Sequence, residues 1–350
     1  MLKTVRIKNF RGFTDLTLDN LERVNLLAGA NGVGKTALLE ALFLHVGAHN
    51  PEIGMRVNAF RGLTAFKADL DDLFAPLFHR YALDSSVEIA STDEQGVERT
   101  LSICLTESSL ATLGPSNGND RPDSLSTAIS PRGVRFEYTD NEGKSVISNG
   151  WLTTEGLRFQ VGKPWGGQAI FLSTRYHNPA EDAQRFSELA VQLQHQPLVE
   201  TLKLVEPRLS NLSVQAMGNI PLVYGDVGLG RLIPVDLMGQ GTSRLLSIML
   251  AIVSQQSSTV LIDEVENGLH YSIMTQVWMA IARAARAADV QVFATTHSWE
   301  CLRAAHEAFS QDVQYDFRLH RLERVDDAIR VMTLDQEALD TALKAGLEVR

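Results

Sequence analysis

Several short apolar runs stand out along the chain, each ending in glycine or in polar residues. Val24-Asn25-Leu26-Leu27-Ala28, Val260-Leu261-Ile262 and Val290-Gln291-Val292-Phe293-Ala294-Thr295-Thr296 are runs of this kind. They predict strands covered on both faces, the pattern of a parallel sheet. At the N-terminus the alternation from Thr4 to Phe13, continuing into Leu16-Thr17-Leu18, predicts an antiparallel hairpin. Leu38, Leu39, Leu42, Phe43 and Val46 recur at helical spacing on one face. From about Ser86 to Phe171 the chain favours strands and turns: Val87–Ala90, Thr100–Cys104 and Val134–Tyr138, with turns at Asp140–Gly143 and Pro115–Asp120, the latter opening a mobile loop. Helices follow, one placing Phe186, Leu189 and Leu193 on a shared face, the next opening at Pro197 with Leu198, Leu202 and Val205 on a stripe. A strongly apolar helix runs from Leu245 to Val253. The end of the chain reads as a helix around Cys301–Phe309, a hairpin from Tyr315 to Leu334 and a last helix from Gln336. Heptads are absent, which excludes long coiled-coil arms.

Composition narrows the class. With 350 residues, 44% hydrophobic and 21% charged, the chain can hold two domains or one large α/β domain with an insertion. No run of eighteen apolar residues predicts a transmembrane helix, and the strand-like start Met1-Leu2-Lys3-Thr4-Val5-Arg6 lacks the apolar block of a signal peptide. A cytoplasmic location is expected. Cys104 and Cys301 lie far apart and read as buried free thiols of a reducing compartment. The net charge of −10 argues against whole-molecule attraction to nucleic acid, although a local basic groove stays open.

Two patches carry chemistry. Gly29-Ala30-Asn31-Gly32-Val33-Gly34-Lys35-Thr36 is a full phosphate-binding loop, set between a buried strand and a helix as the motif requires. Its backbone N–H groups surround the β- and γ-phosphates, Lys35 reaches them, and the Thr36 hydroxyl can bind Mg²⁺. The helix N-terminus adds its partial positive charge. More than two hundred residues later, Leu261-Ile262-Asp263-Glu264 ends a buried strand in two acids. Asp263 is the candidate Mg²⁺ ligand and Glu264 the candidate base that polarises the attacking water; the plainer reading is a strand-end pair capping the next helix. His297 ends another buried strand, at the sheet edge where open α/β sheets bind ligands, and is a candidate γ-phosphate sensor or a satisfied structural histidine. Met238-Gly239-Gln240-Gly241-Thr242-Ser243-Arg244 opens the apolar helix as a second potential anion-binding N-terminus.

In order, these elements resemble the ABC-type ATPase heads of the SMC, RecF and OLD (overcoming lysogenization defect) group, most nearly its stand-alone AAA/OLD-like prokaryotic members. The carrying residues are Asn9-Phe10-Arg11-Gly12-Phe13, the phosphate loop, Met238 to Arg244, Asp263-Glu264-Val265-Glu266-Asn267-Gly268-Leu269-His270 and Thr295-Thr296-His297-Ser298. The resemblance implies an α/β fold, an ABC-ATPase head with a P-loop core sheet, an antiparallel β lobe and an inserted helical segment. It divides the chain into 1–80, a β-rich lobe at 81–175, a helical insert at 176–220 and the rest of the head at 221–350. It implies ATP and Mg²⁺ as cofactors, with Asn31, Gly32, Val33, Gly34, Lys35, Thr36, Ala37, Arg11, Gly239 and Gly241 on the nucleotide, Thr36 and Asp263 on the metal, and Glu264, His297 and Lys35 in catalysis. It also implies a homodimer, in which the signature helix of one copy meets the γ-phosphate held by the other; Arg244 would add charge there. The signature Leu-Ser-Gly-Gly of transporters is missing, since Gly239 and Gln240 stand in the Ser and first Gly places, and the Q-loop glutamine has no clear position. Longer members append a Toprim nuclease domain, and the residues after His297 are too few for one. Three functions follow: an ATP-driven defence switch acting on a separately encoded effector (a Toprim-like nuclease or other toxin), a RecF-like ATPase on DNA, or, least in keeping, a transporter subunit.

Overall fold

The computed structural model describes residues 1–47, 52–61, 70–107, 128–153, 156–162, 167–218, 220–254 and 258–347. The expected loop at Pro115–Asp120 lies outside them. The chain divides into two compact units: residues 1–2, 18–39 and 167–350 form the first, and residues 3–17 and 40–166 the second. Residues 3–17 therefore group with the β-rich segment rather than with the phosphate loop, which differs from a boundary at residue 80.

The first unit is built on a six-stranded sheet. Its strands are β3 (Val24–Gly29), β9 (Ala169–Leu172), β13 (Thr259–Ile262), β14 (Gln291–Thr295), β15 (Phe317–Val325) and β16 (Ala328–Leu334), in spatial order β16-β15-β3-β14-β13-β9. All neighbours are parallel except β15 and β16, which form the expected hairpin. Every residue of β3, β13 and β14 is buried. That explains why they read as unbroken apolar runs instead of alternating ones. A second, three-stranded sheet of β10 (Asn211–Met217), β11 (Ile220–Asp226) and β12 (Ile233–Pro234) was not expected, and its first hairpin crosses the anticipated boundary at residue 220. The helices of this unit are α4 (Pro179–Val191), α5 (Gln196–Leu202), α6 (Gln240–Val253), α7 (Met274–Ala287), α8 (Trp299–Ser310) and α9 (Gln336–Lys344). Asn178 caps α4 through its side chain, accepting from the Ala180 N–H, and Ser298 and Asp335 cap α8 and α9 likewise. Leu193, expected on the inner face of α4, lies beyond the helix end at φ +60° and is 81% exposed.

The second unit carries a seven-stranded sheet in the order β2-β1-β4-β5-β6-β7-β8: β1 (Leu2–Phe10), β2 (Phe13–Leu18), β4 (Val87–Asp93), β5 (Glu98–Glu107), β6 (Ala128–Asp140), β7 (Ser145–Thr153) and β8 (Gly156–Gln160). From β4 to β8 it is an antiparallel meander. Strict alternation sends Val87, Ile89, Leu101, Ile103, Val134 and Phe136 into the core. Helices α2 (Glu52–Ala59) and α3 (Leu70–Phe74) close this face, with the Phe74 and Phe136 rings edge to face, centroids 6.2 Å apart. The Asp140–Gly143 turn forms as expected: Asp140 Oδ1 accepts from the N–H of Glu142 at 2.9 Å and of Lys144 at 3.0 Å.

Helix α1 (Lys35–Val46) belongs by sequence to both units. Its apolar residues do recur at helical spacing, yet the helix is buried all round from Ala37 to His45 rather than on one face. Burial on every side leaves Glu40 without water, and a buried carboxylate needs partners. Arg11 supplies one, with Nε 2.8 Å from Glu40 Oε2, and Arg61 another, donating to both carboxylate oxygens at 2.7 and 2.8 Å. Burial pulls the Arg11 guanidinium down to about 10. Arg11 thus holds a structural ion pair within its own unit. Of the two thiols, Cys301 is buried and Cys104 only half-buried; both are free.

Removing one partner of a buried pair strands the other's charge, so Arg11→Ala should cost about 3 kcal/mol of stability. Earlier thermal unfolding with nucleotide affinity unchanged is the expected outcome. Lost affinity without a shift in melting would return Arg11 to the nucleotide.

Candidate nucleotide site

The parallel register places the C-terminal ends of β3, β13 and β14 along one edge. Leu26 pairs with Ala294, and Ala294 in turn with Ile262. Everything the sequence singled out in this unit follows one of these ends or opens α6. Gly29 leaves β3 at φ +140°, where an added Cβ would strike the Leu322 carbonyl of β15, so no side chain fits. Ala30, Asn31 and Gly32 stand exposed at the crest of the loop, Val33 and Ala37 are buried beneath it, and Gly34, Lys35 and Thr36 are half-buried. Lys35 Nζ folds back and donates to the carbonyls of Gly29 at 2.6 Å and Ala30 at 3.1 Å. Burial lowers its pKa, while the carboxylates of Glu264, Glu266 and Asp263 raise it in opposition.

Asp263 is 7% exposed and meets the phosphate-loop helix directly. Thr36 Oγ1 donates to it, 3.0 Å from Oδ1 and 3.2 Å from Oδ2. Thr295, fully buried, donates its hydroxyl to Asp263 Oδ1 at 2.8 Å and accepts from the Glu264 N–H at 2.7 Å. Glu264 itself sits at φ +50°, a left-handed conformation costly for a residue with a side chain. Its backbone is fixed on both sides, by Thr295 at its N–H and by Arg244, which donates to the carbonyls of Asp263 and Glu264. Arg244 also reaches the Ser173 carbonyl at 3.4 Å, at the end of β9. Burial lowers its pKa. The guanidinium expected to point at a partner's phosphate is turned inward onto these carbonyls.

Gly239 lies at φ +122° at the start of α6, and Gly241 packs so close that an added Cβ would strike the Gly268 carbonyl. Gln240 Nε2 bonds Asn267 Oδ1 across the same contact at 3.4 Å. The signature-like turn therefore lies flush on the acidic turn of its own chain. His297, half exposed, follows β14, and its Nδ1 faces Glu266 Oε1 at 3.3 Å. Thus Lys35, Thr36, Asp263, Glu264 and His297 share one sheet edge, with Gly239 and Gly241 joined to it through the 264–268 turn. Sequence reasoning gave no role to Thr295, Ser173 or Glu266. Thr295 was legible only as the last residue of an apolar run, and Ser173 follows a four-residue strand too short to show a pattern.

As to a metal, a hydroxyl and a single carboxylate are hard oxygen donors of the kind Mg²⁺ accepts when phosphates and water complete its shell. Among the described residues no group of three His, Cys, Asp or Glu could cage an ion alone. The residues fit a metal that arrives with a nucleotide.

Comparison with known proteins bears on this edge. Residues 1–138 match the family model described as "AAA ATPase domain", and residues 168–302 the one described as "AAA domain, putative AbiEii toxin, Type IV TA system". An "ATP/GTP phosphatase" of Helicobacter pylori is 24% identical across 97% of both chains. Over most of its length the chain is thus similar to ATPases. It shares its fold with the Smc head domain bound to the C-terminal domain of ScpA derived from Pyrococcus furiosus, at TM-score 0.51, 11% identity and 98% coverage of each chain. A segment is 40% identical over 43 residues, 12% of each chain, to the DNA replication and repair protein RecF of Idiomarina loihiensis. Among the described residues no helix is long and apolar enough to cross a membrane.

Thr295→Val keeps the shape of the side chain but leaves the Glu264 N–H without an acceptor, a loss of about 1–3 kcal/mol. Thermal unfolding should come earlier and ATP turnover fall, with nucleotide affinity nearly unchanged. Parental turnover would mean that this hydroxyl does not set the acid's backbone.

Proposed function

We propose that this ATPase is a Mg²⁺-dependent switch that closes as a homodimer around ATP and thereby controls a separately encoded effector, in prokaryotic anti-phage defence. The observation that carries the catalytic part is the Thr36–Asp263 hydrogen bond at 3.0 Å, which joins residues 227 positions apart into one pocket. Bound there, Mg²⁺ would neutralise charge on the β- and γ-phosphate oxygens, with Thr36 and Asp263 as its protein ligands. Lys35 exchanges its loop carbonyls for phosphate oxygens, and the N–H groups from Asn31 to Ala37 take the rest. Glu264, its backbone held from both sides, polarises the attacking water. His297 contacts the γ-phosphate, and the α6 N-terminus, with Gly239 and Gly241, receives the nucleotide of a second copy.

The regulatory part has one support: the family model matched by residues 168–302 carries a toxin–antitoxin description. A cytoplasmic place accords with the two free thiols. A second reading, RecF-like action on DNA, draws on the short RecF match. The net charge of −10 weighs against it. ATP-dependent, salt-sensitive DNA binding would favour it.

Glu264→Gln should retain ATP, slow hydrolysis by ~10²-fold or more and elute as a dimer with ATP bound; turnover at the parental rate would remove Glu264 as the base. Lys35→Ala should abolish nucleotide binding in calorimetry. For the effector, purification from the native operon should yield a second, toxin-like or Toprim-bearing protein, and a consistently solitary chain would count against the switch.

A further inference from the structure

Glu266 takes no part in the reading above, although its carboxylate is bonded to the residues that follow β14. Its side chain is 13% exposed. Oε1 accepts from the Thr296 hydroxyl at 2.8 Å and from the His297 backbone N–H at 3.0 Å, and lies 3.3 Å from His297 Nδ1. Oε2 is buried with no hydrogen-bond partner in the structure. The Thr296 hydroxyl that bonds Glu266 accepts in turn from the Ser298 N–H at 3.0 Å, and Ser298 caps α8. One carboxylate thereby fastens the end of β14 and the start of α8 to the turn that carries Glu264, with Nδ1 of the His297 ring beside it.

We infer that Glu266 is a positioning residue for His297: it fixes the ring and holds the proton on Nδ1, so that Nε2 is the nitrogen presented outward. The argument is one of complementarity. An ionised carboxylate offers only acceptors, and a ring nitrogen with a free lone pair facing it would be repelled; the nitrogen facing Oε1 must carry hydrogen. A free histidine side chain prefers the proton on Nε2, so holding it on Nδ1 takes an acceptor fixed in place, and the bonds to Oε1 from the Thr296 hydroxyl and the His297 backbone N–H fix this one. The same logic governs metal-ligating histidines, where a carboxylate on one nitrogen sets the tautomer and aim of the other. With Nδ1 committed, any hydrogen bond His297 makes to a phosphate runs through Nε2, which donates once it has gained a proton. The unpartnered Oε2 gives the carboxylate a second acceptor beside the same ring, able to follow it as the site closes.

The inference rests on the reading of His297 as the γ-phosphate contact only for its catalytic consequence, so the test has two readouts. In the full-length protein with ¹⁵N-labelled histidine, NMR of the His297 ring should show the Nδ1–H tautomer, turning predominantly to Nε2–H in Glu266→Ala. An unchanged tautomer in Glu266→Ala, or Nε2–H in the parent, overturns the proposal whatever the kinetics. In turnover, Glu266→Ala should lower kcat by about 10–100-fold, the usual scale for losing a residue that orients another, with KM within about threefold. Introduced into His297→Ala, the same change should cost nothing further, because its route is gone. An equal loss in both backgrounds would mark Glu266 as merely structural and overturn the positioning role. Parental turnover in His297→Ala with the tautomer shift present would instead remove the sensor reading and leave the Glu266–His297 link standing. Glu266→Gln, which keeps an acceptor for Thr296 and the His297 N–H, secures the fold, and it should shift the tautomer less than Glu266→Ala does.

Discussion

Asp263 is a carboxylate at the end of a strand covered on both faces, and burial of that kind is tolerated only with fixed donors around it. Thr36 and Thr295 are those donors, one from the helix after the phosphate loop and one from the strand between the two motifs. The arrangement works because β13 and β14 are in parallel register and β14 pairs directly with β3. A slip of one residue would turn Thr295 to the opposite face, remove one of the two donors of Asp263 and leave the Glu264 N–H without its acceptor. The sheet register and the chemistry are thus one constraint.

Around that centre the acidic turn is fastened from several sides by unlike means. Arg244 holds its carbonyls, Thr295 its first N–H, Gly241 lies against its far end without clearance, and Glu266 ties it to the next strand. Arg244 and Gly241 tie it to α6, Thr295 and Glu266 to β14 and the residues that lead from it into α8. The positive φ of Glu264 is supported by neighbours in the manner expected of a strained residue at a working site. A displacement of the α6 N-terminus would be felt at the acid itself, since Gly241 and Arg244 are within one helical turn of each other.

Much of this was legible in the residues. Runs buried on both faces, the glycine loop between strand and helix, the paired acids and the final helix–hairpin–helix all announced themselves, because burial on two faces and positive-φ glycines leave strong marks. What was hidden depends on direction and on distant pairing. The resemblance put Arg11 and Arg244 beside phosphate, and only the fold shows that Arg244 meets carbonyls and Arg11 a carboxylate, Glu40, on a helix buried all round. β9 has four residues and β12 two, and β11, with Val223, Tyr224 and Gly225 buried in succession, breaks the alternation a half-buried strand would show. Leu193 keeps helical spacing with Phe186 and Leu189, but the chain turns before reaching it.

The place of β3 in its sheet has a consequence for how the protein is made. The strand that bears the phosphate loop is translated long before both its neighbours, β14 and β15. Until those follow, its backbone has no partners and its apolar side chains no cover. The nucleotide pocket is accordingly completed late, by contacts between segments far apart in sequence that form slowly, and a chain cut short before β14 leaves the glycine loop with no sheet to stand on.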